Sequence, residues 1–388
     1  MNILTPFRVI LGTVKGLLNY ARFVDSSRLQ DEHYLFVDVT EVRICNSGTG
    51  VPRVTNNILQ NLYECNLPYK IIEVYGKSHF EGFIDCKTDK PIRVAKGDFF
   101  FGLDFSKFQI PKNKKYLDKM YALGIPVWFF VHDLIPYYYP QYCTESVVEA
   151  FNKWLKTIVH YTGFIANSET TMNETINWLH DQQKDSYNQN IKYGFVHLGT
   201  NFNKKMRSVE RKNKTLQFLA VGTVEPRKKY DQIIFAFELL LKKGYDISLH
   251  IVGRPGWNNE NVFHCIKNSV YFGTKIFWHE TFISDEDLEH LYSESCALIF
   301  ASEVEGFGIP LVEAAAYNIP LIVRDIPVFK EVVGKNAFYF SGFESEDLAR
   351  KIEEWIFLYK NNSVHLPCIK LFSWKETTAE VCNILELK

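Results

Sequence analysis

The segment around residue 300 constrains the fold more than any other. Residues 296–301 form an apolar run that ends at Ser302, which predicts a buried strand of a parallel sheet. A glycine-containing turn follows, and Pro310 suits the start of a helix, because a backbone N–H has no partner there. Asn318 suits the end of that helix, and residues 319–323 predict the next strand. This strand–turn–helix–strand unit is typical of an α/β fold with a parallel sheet.

Two carboxylates, Glu305 and Glu313, flank this turn. The turn is predicted at the carboxyl edge of the sheet, where free N–H groups and the positive end of a helix favour phosphate groups. Gly306 and Gly308 would let the backbone approach a ligand closely. A carboxylate before the turn can accept hydrogen bonds from sugar hydroxyls, and one on the helix can reach a ribose. The alternative is an ordinary glycine-rich turn of a doubly wound domain.

A second motif follows another predicted strand, which begins at Leu216 and ends at Gly222 and Thr223. Arg227 and Lys228 come next, at the predicted start of a helix. Two cations at a helix start oppose the helix macrodipole, so the helix does not account for them. A nucleotide diphosphate would, because guanidinium binds phosphate oxygens in pairs and ammonium adds a point charge. The alternative is a solvated basic pair.

Together these motifs resemble the retaining glycosyltransferases of family 4, which have the two-domain GT-B architecture. That family carries a Glu-x7-Glu motif at this junction and an Arg-Lys pair that stabilises the departing diphosphate. The resemblance implies a nucleotide-diphosphate sugar as donor, and catalytic roles for Glu305, Arg227 and Lys228, with Glu305 orienting the sugar. The donor-binding residues that it implies are Gly50, Gly222, Thr223, Ile283, Gly306, Phe307, Gly308, Ile309 and Glu313.

The loop 45–53 precedes a helix predicted to run to Glu64. Arg53 replaces the third glycine of a dinucleotide-binding fingerprint, and the Gly-Lys-Ser/Thr of a P-loop is missing, so neither site is predicted. The loop resembles the glycine loop of GT-B enzymes, whose backbone amides approach the diphosphate. With the preceding Asp38-Val-Thr it resembles a polysaccharide-assembly branch of family 4. The alternative is a plain helix-opening turn with Arg53 in solvent.

Three further positions are candidates at predicted element ends. His132 and Asp133 follow the strand 127–131, and the resemblance implies a histidine near the donor sugar and an acidic residue near the acceptor. The alternative for both is a hydrogen-bonded loop residue. Ser168 is interpreted mainly as a helix cap.

The pair Asp285 and Asp287 could be mistaken for a metal-binding Asp-x-Asp motif. It follows Ser284 at a predicted helix start, which indicates capping instead. The phosphate charge would meet Arg227, Lys228 and a helix N-terminus. No metal and no other cofactor are therefore expected.

The length and composition indicate what class of protein the chain belongs to. A chain of 388 residues is long enough for two domains, and the net charge of −1 argues against binding of nucleic acid. The eight cysteines are scattered without a C-x-x-C pair, which favours reduced thiols and a cytoplasmic location. No apolar run is long enough to span a bilayer.

The predicted fold is α/β: a GT-B fold with two Rossmann-like, doubly wound domains facing a cleft. The predicted boundaries are an N-terminal amphipathic segment 1–33, an acceptor domain 34–203, a linker 204–214, a donor domain 215–370 and a C-terminal helix 371–388. Ser373 and Glu376 predict a capping box for that last helix. The resemblance implies that it crosses back onto the first domain.

The N-terminal residues 2–24 predict an amphipathic helix. Apolar residues recur there in steps of three and four, and Arg8, Lys15 and Arg22 form one row along the edge of the apolar stripe. This pattern suits peripheral docking on the inner face of the cytoplasmic membrane. The alternative is a helix packed on the first domain.

The predicted function is retaining transfer of a sugar from a nucleotide sugar to a glycan or lipid-linked glycan acceptor in surface polysaccharide (O-antigen) biosynthesis. GDP-mannose is the first candidate donor. One alternative is a nucleotide-sugar epimerase of the same fold, for which no separate acid–base residues are found. The other is a non-catalytic nucleotide-sugar-binding subunit, against which the intact Arg227, Lys228 and Glu305 argue.

Overall fold

The computed structural model describes residues 23–29, 31–44, 50–181, 187–201, 215–256, 259–281 and 283–388. The predicted linker 204–214 and most of the amphipathic segment lie outside the described residues. Each half of the described chain contains one sheet flanked by helices.

The first half is built on a seven-stranded sheet within the described residues, in the order β3-β2-β1-β4-β5-β6-β7. Its strands are β1 (His33–Asp38), β2 (Tyr69–Gly76), β3 (Phe83–Asp85), β4 (Phe99–Gly102), β5 (Val127–Val131), β6 (Gly163–Ala166) and β7 (Lys192–Phe195). All neighbours pair in parallel except β2 and β3. The strand order reverses at β1, the position at which doubly wound sheets bind ligands.

The second half forms a six-stranded, fully parallel sheet within the described residues, in the order β10-β9-β8-β11-β12-β13. Its strands are β8 (Leu216–Val221), β9 (Ile247–Val252), β10 (Ile276–His279), β11 (Ala297–Phe300), β12 (Leu321–Arg324) and β13 (Phe338–Phe340). The order reverses between β8 and β11, which pair with each other directly. The two sequence motifs follow these two strands and are therefore neighbours at one sheet edge.

Helices connect the strands on both faces. Those of the first half are Thr40–Ile44, Val51–Glu64, Gln109–Lys112, Lys114–Ala122, Ile135–Tyr138, Glu145–Ile158 and Glu169–Asp181. Those of the second half are Tyr230–Lys242, Glu260–Lys267, Asp285–Glu294, Ile309–Ala316, Pro327–Val333, Ser345–Lys360 and Trp374–Ile384.

Continuous burial of the central strands explains their sequence pattern. All residues of β5 and of β11 are buried, as expected for parallel strands covered by helices on both faces. The predicted strands are confirmed on both sides of the linker. The edge strand β3 was not predicted, because three residues in antiparallel pairing are too short to give a periodic signal.

The C-terminal helix Trp374–Ile384 packs on the first domain, which confirms the crossing implied by the resemblance. Ser373 and Glu376 form the predicted capping box. The buried side chains of this helix share one apolar cluster with strand β1, and Thr377 donates a hydrogen bond to the backbone oxygen of His197 at 2.8 Å.

The described part of the N-terminal segment belongs to the first domain. Phe23 is buried against Tyr116, with ring centroids 4.8 Å apart, and Val24 forms a β-bridge with Val94. The predicted amphipathic helix up to residue 22 lies outside the described residues. Across the described ranges, no helix has both the length and the apolar character needed to cross a bilayer.

Candidate active site

Arg227 and Lys228 lie in a short 3₁₀ turn, Pro226–Lys228, after strand β8. The prediction that they open a helix is wrong by one turn: the helix begins at Tyr230, and Lys229 before it has a left-handed backbone with φ of +54°. Because Lys229 separates the 3₁₀ turn from the helix, both cations lie outside the helix. The turn contacts Glu303 and Val304, which follow strand β11.

The two cations share Glu305 as their partner. The guanidinium of Arg227 lies 2.8 Å from one oxygen of Glu305, and the ammonium of Lys228 contacts the other. Arg227 also pairs with Glu225 at 2.5 Å and donates to the backbone oxygen of Val304 at 2.9 Å. Lys228 lies 5.0 Å from the centre of the Phe300 ring, a cation–π distance. The two motifs are thereby joined in one charge cluster.

Burial and charge set the protonation of this cluster. Burial by itself would raise the pKa of Glu305, but Arg227 and Lys228 lower it to about 2. Burial lowers the pKa of Lys228, against the attraction of Glu305. Burial also acts to lower the pKa of Arg227, but Glu305 and Glu225 raise it above its ordinary value. Glu305 is therefore ionised at neutral pH and holds both cations in place.

The turn after Glu305 contacts the first domain directly. Any Cβ atom on Gly306 would overlap the backbone oxygen of His132. The backbone oxygen of Gly306 accepts hydrogen bonds from Ser168 at 2.7 Å and Thr171 at 3.2 Å. Ser168 also caps its own helix through the backbone N–H of Thr171, as predicted. Glycine is required at position 306 because the two domains meet there, backbone against backbone.

His132 and Asp133 lie across this contact from the charge cluster. Burial lowers the pKa of His132 to about 4, so its ring is neutral. The ring hydrogen-bonds the backbone of Leu103, and its Nε2 atom has no partner among the described residues. Burial raises the pKa of Asp133, against the attraction of Arg227, and its Oδ1 atom accepts from the backbone N–H of Ile135 at 3.0 Å.

Other buried polar atoms near the same turn have no hydrogen-bond partner within the described chain: Asn167 Oδ1, Glu225 Oε2 and Ser302 Oγ. Asn167 lies beside Gly306, and Ser302 follows strand β11. Unpaired buried polar atoms are rare in folded proteins because each costs free energy. With His132 Nε2 they are the buried polar atoms near this turn that a polar ligand could pair with.

Glu313 occupies a separate position on the helix Ile309–Ala316 and is only 1% exposed. Arg53 of the first domain pairs with it at 2.6 Å, and Tyr292 donates a hydrogen bond to its other oxygen at 2.8 Å. Gly308 precedes the helix with φ of +102°, which a residue with a side chain rarely adopts. Asn318 follows it with φ of +51°, in agreement with its predicted position at the helix end.

Three other predicted donor residues are divided between the domains: Gly222 and Thr223 lie in the second domain, and Gly50 lies in the first. Gly222 has φ of +143°, and a Cβ atom at this position would lie 3.4 Å from the ammonium of Lys228; Thr223 follows it. Gly50 begins the helix Val51–Glu64 of the first domain with φ of +59°.

Apolar packing places the remaining three predicted donor residues. Phe307 and Ile309 lie in the apolar cluster shared with the first domain, and the Phe307 ring lies 5.7 Å from that of His197. Ile283 packs on the apolar cluster around Tyr292. Phe307 and Ile309 therefore stabilise the contact between the domains, whereas Ile283 packs within the second domain.

Two further contacts across the cleft were not predicted. Glu331 accepts hydrogen bonds from the backbone N–H groups of Glu169 at 2.7 Å and Thr170 at 2.8 Å, and lies 2.8 Å from the His197 ring. Tyr142 donates to Glu303, which also pairs with Lys229. The partners in each contact lie far apart in the sequence. Such contacts leave no periodic signal, so the sequence did not predict them.

The acidic residues after β10 behave as predicted. Ser284 accepts a hydrogen bond from the backbone N–H of Asp287, which makes it the cap of the helix Asp285–Glu294. Within the described ranges, no three His, Cys, Asp or Glu side chains come close enough together to hold a metal ion.

The chain is similar in sequence to known glycosyltransferases. Residues 201–363 match the family model of glycosyl transferases group 1. The chain is 33% identical over 372 residues to the serotype-specific mannosyltransferase WbdA of Escherichia coli, covering 88% of this chain and 45% of that protein. It is 31% identical over 209 residues to the O-antigen chain mannosyltransferase RfbU of Salmonella typhimurium, covering 54% of this chain and 55% of RfbU. The chain thus spans about half the length of these relatives.

Solved structures share the fold. HepE of Anabaena, solved with UDP and glucose, superposes with a TM-score of 0.58 at 13% identity, over 92% of this chain and 97% of HepE. Sucrose-phosphate synthase of Thermosynechococcus elongatus gives a TM-score of 0.60 at 13% identity, over 92% and 95%. The two motifs, the paired Rossmann-like sheets and these matches identify the chain as a protein of GT-B fold whose residues 201–363 match the glycosyl transferases group 1 family model.

Proposed function

We propose that this chain transfers a hexose from a nucleotide-diphosphate donor to a hydroxyl group of a glycan or lipid-linked glycan, with retention of anomeric configuration. The observation that carries the proposal is the buried cluster of Arg227, Lys228 and Glu305 at the carboxyl edge of the second sheet. Two cations can stabilise the negative charge of a departing diphosphate, and a carboxylate beside them can accept hydrogen bonds from the hydroxyl groups of a sugar.

The reaction exchanges one bond at the anomeric carbon of the donor. The bond from that carbon to the diphosphate oxygen breaks, and a bond to the acceptor oxygen forms on the same face. The acceptor proton passes to an oxygen of the departing diphosphate. Arg227 and Lys228 offset the charge that grows on this group, and the buried cleft strengthens their effect because less water screens it.

Glu305 has two roles in this proposal. Its ion pairs fix the positions of Arg227 and Lys228, so the cations need no reorganisation when charge develops. It also orients the donor sugar by accepting hydrogen bonds from hydroxyl groups. Its low pKa keeps it an acceptor of hydrogen bonds at neutral pH, and it is not a covalent nucleophile in this mechanism.

The first domain supplies polar groups on the other side of the sugar. The neutral ring of His132, with its unpaired Nε2 atom, is assigned to a hydroxyl group of the donor sugar. Asp133 is assigned to the acceptor. It lies beside Gly306, the residue that follows Glu305, so an acceptor hydroxyl bound there would be near the departing diphosphate.

Mannose is the proposed sugar and GDP-mannose the proposed donor, in the assembly of a surface polysaccharide such as an O-antigen. Support comes from the relatives, which are named as mannosyltransferases and O-antigen enzymes. The test is release of nucleoside diphosphate from GDP-mannose, UDP-sugars and dTDP-rhamnose with and without a glycan acceptor. Acceptor-dependent release from GDP-mannose is expected. Epimerised donor, or binding without turnover, would favour an epimerase or a non-catalytic subunit instead.

Activity should persist in EDTA. The phosphate charge is assigned to Arg227, Lys228 and the backbone around them, and Asp287 is engaged with its cap Ser284. Turnover should therefore be the same before and after chelation, measured as nucleotide release with a fixed acceptor. Loss of turnover that Mn²⁺ or Mg²⁺ restores would contradict a metal-independent site and would return Asp285 and Asp287 to consideration.

The N-terminal segment is proposed as a peripheral membrane anchor, which would bring the enzyme to a lipid-linked acceptor. Because Phe23 and Val24 pack into the first domain, the deletion that tests this should remove residues 2–22 only. Sedimentation with anionic vesicles should capture the full chain and lose the deleted one, while both retain turnover on a soluble acceptor. Equal capture of both proteins would contradict the assignment.

A further inference from the structure

Arg53 has a position that its own helix does not explain. It lies in the first turn of the helix Val51–Glu64, three residues after Gly50. A cation in the first turn of a helix opposes the macrodipole, so a local structural role would favour another residue type. The reason for an arginine here must lie in what its side chain contacts.

That contact crosses the cleft. The Arg53 guanidinium lies 2.6 Å from Glu313, a carboxylate of the second domain that is 1% exposed. Tyr292 donates to the second oxygen of the same carboxylate. The plain alternative from the sequence, a solvated Arg53, is therefore wrong. One domain supplies the cation and the other supplies the buried anion.

A buried ion pair of this kind is weak evidence of a role in stability. Removing two charges from water costs several kcal/mol per ion, and their attraction recovers this only in part, so apolar residues of similar size often stabilise a fold equally well. An ion pair between two domains, such as Arg53 with Glu313, can instead open when a ligand enters and binds either side chain. Each member can leave the other when a ligand offers it a better one.

We propose that Arg53 is the third cation of the diphosphate site, supplied by the first domain. When a nucleotide enters, the hydroxyl groups of its ribose take the place of Arg53 on Glu313. The guanidinium then moves onto the diphosphate. The guanidinium has one ribose to pass, because the first phosphate is linked through an ester oxygen to the 5′ carbon of the same ribose whose hydroxyl groups Glu313 would bind. This assignment rests on the proposed function and extends its donor site.

The charges of the cleft support a third cation. The ion pairs described here join Arg53, Arg227 and Lys228 to the carboxylates Glu225, Glu305 and Glu313. These three cations and three anions balance one another, so an incoming diphosphate brings excess negative charge. If Arg53 stayed on Glu313, the diphosphate would meet only two cations, both already paired. Transfer of Arg53 adds a planar donor that binds phosphate oxygens in pairs.

The exchange would also couple donor binding to domain position. Arg53 moves with the first domain, whereas Arg227 and Lys228 belong to the second. A diphosphate held from both sides ties the domains together around the sugar. Departure of the diphosphate with the nucleotide would return Arg53 to Glu313.

The experiment compares a nucleoside with its diphosphate. Calorimetry should measure the affinity of the wild-type chain, Arg53→Ala and Arg53→Gln for GDP, UDP and dTDP and for the matching nucleosides. Arg53→Ala is expected to weaken binding of the preferred diphosphate roughly 10-fold to 100-fold, as for loss of a charge-assisted hydrogen bond. Binding of the nucleoside should stay the same or strengthen, because the ribose no longer competes with Arg53 for Glu313.

Controls separate this assignment from simpler explanations. Arg350→Ala removes an arginine that is 69% exposed on the helix Ser345–Lys360, and it should leave both affinities unchanged. Arg53→Gln removes the charge but can still donate to Glu313, so it tests the proposal if the alanine variant does not fold. Glu313→Gln should weaken nucleoside and diphosphate alike.

The outcomes are distinct. An equal loss for nucleoside and diphosphate in both Arg53 variants would mean that Arg53 acts only on Glu313, and it would overturn the proposal. Unchanged affinity for a diphosphate that the wild-type chain binds would also overturn it, while leaving the proposed function intact. A wild-type chain that binds none of the three diphosphates would overturn the proposed function and, with it, the role of Arg53.

Discussion

Replacing either Arg227 or Lys228 with alanine is expected to lower kcat by roughly 10²–10³-fold, which corresponds to about 2.7–4 kcal/mol of transition-state stabilisation. Both cations are held on Glu305, and the charge of the departing diphosphate develops beside them. The loss should appear in kcat, because the charge is greatest in the transition state. The measurement is the steady-state rate of nucleotide release with donor and acceptor at saturation.

The matched control for these variants is Lys243→Ala. Lys243 lies just after the helix Tyr230–Lys242, at the opposite end from the 3₁₀ turn, and pairs with Glu353 on the surface. Its removal changes the net charge equally but should leave kcat near the wild-type value, because Lys243 pairs on the surface at the other end of the helix. Thermal melts of all three variants should be compared, since Glu305 loses a buried partner in two of them. Near-wild-type turnover in both cleft variants, with the fold intact, would exclude a role in departure of the diphosphate.

Replacing Glu305 with glutamine is expected to reduce kcat by on the order of 10²-fold or more while leaving nucleoside diphosphate affinity undiminished. The amide keeps the size of the side chain but cannot pair with two cations, so Arg227 and Lys228 lose their fixed positions. The diphosphate itself would still meet both positive charges, which explains why its affinity should not fall. Turnover assays and calorimetry on the same protein sample measure the two quantities.

The paired control is the other glutamate of the motif. Glu313→Gln should weaken nucleotide binding, because the ribose is assigned to that carboxylate, and should affect kcat less than Glu305→Gln. The reverse pattern, with weaker binding in the first variant and slower turnover in the second, would mean that the two carboxylates have exchanged roles. Equal effects of the two variants on binding and on turnover would contradict the assignment of Glu305 to the sugar and of Glu313 to the ribose.

Local features of the chain were predictable from the sequence because their causes are local. The apolar runs of β5 and β11 predicted buried strands, and both are fully buried. Ser284 and Ser373 cap the helices that follow them, as short-range side-chain chemistry requires. The position of Glu305 and Glu313 around a strand–turn–helix junction also followed from local pattern.

The prediction that Arg227 and Lys228 open a helix was wrong. The sequence predicts a loop at Pro226 and a helix that Arg227 and Lys228 open. The backbone instead forms a separate 3₁₀ turn, which ends where Lys229 adopts a left-handed conformation. Lysine gives no signal for that conformation. The turn is supported by contacts with Glu303 and Val304, which lie far away in the sequence.

The sequence by itself determined the order and type of most elements and the place of each motif directly after a strand, and the resemblance that the motifs carry implied the two-domain GT-B architecture. Only the tertiary structure decided that Gly306 contacts His132, that Arg53 reaches Glu313 and that Glu331 caps a helix of the other domain. Periodicity and caps report the backbone within a few residues. Contacts between the domains depend instead on how the two domains are placed against each other, and burial at that contact shifts the pKa values of the charged residues there.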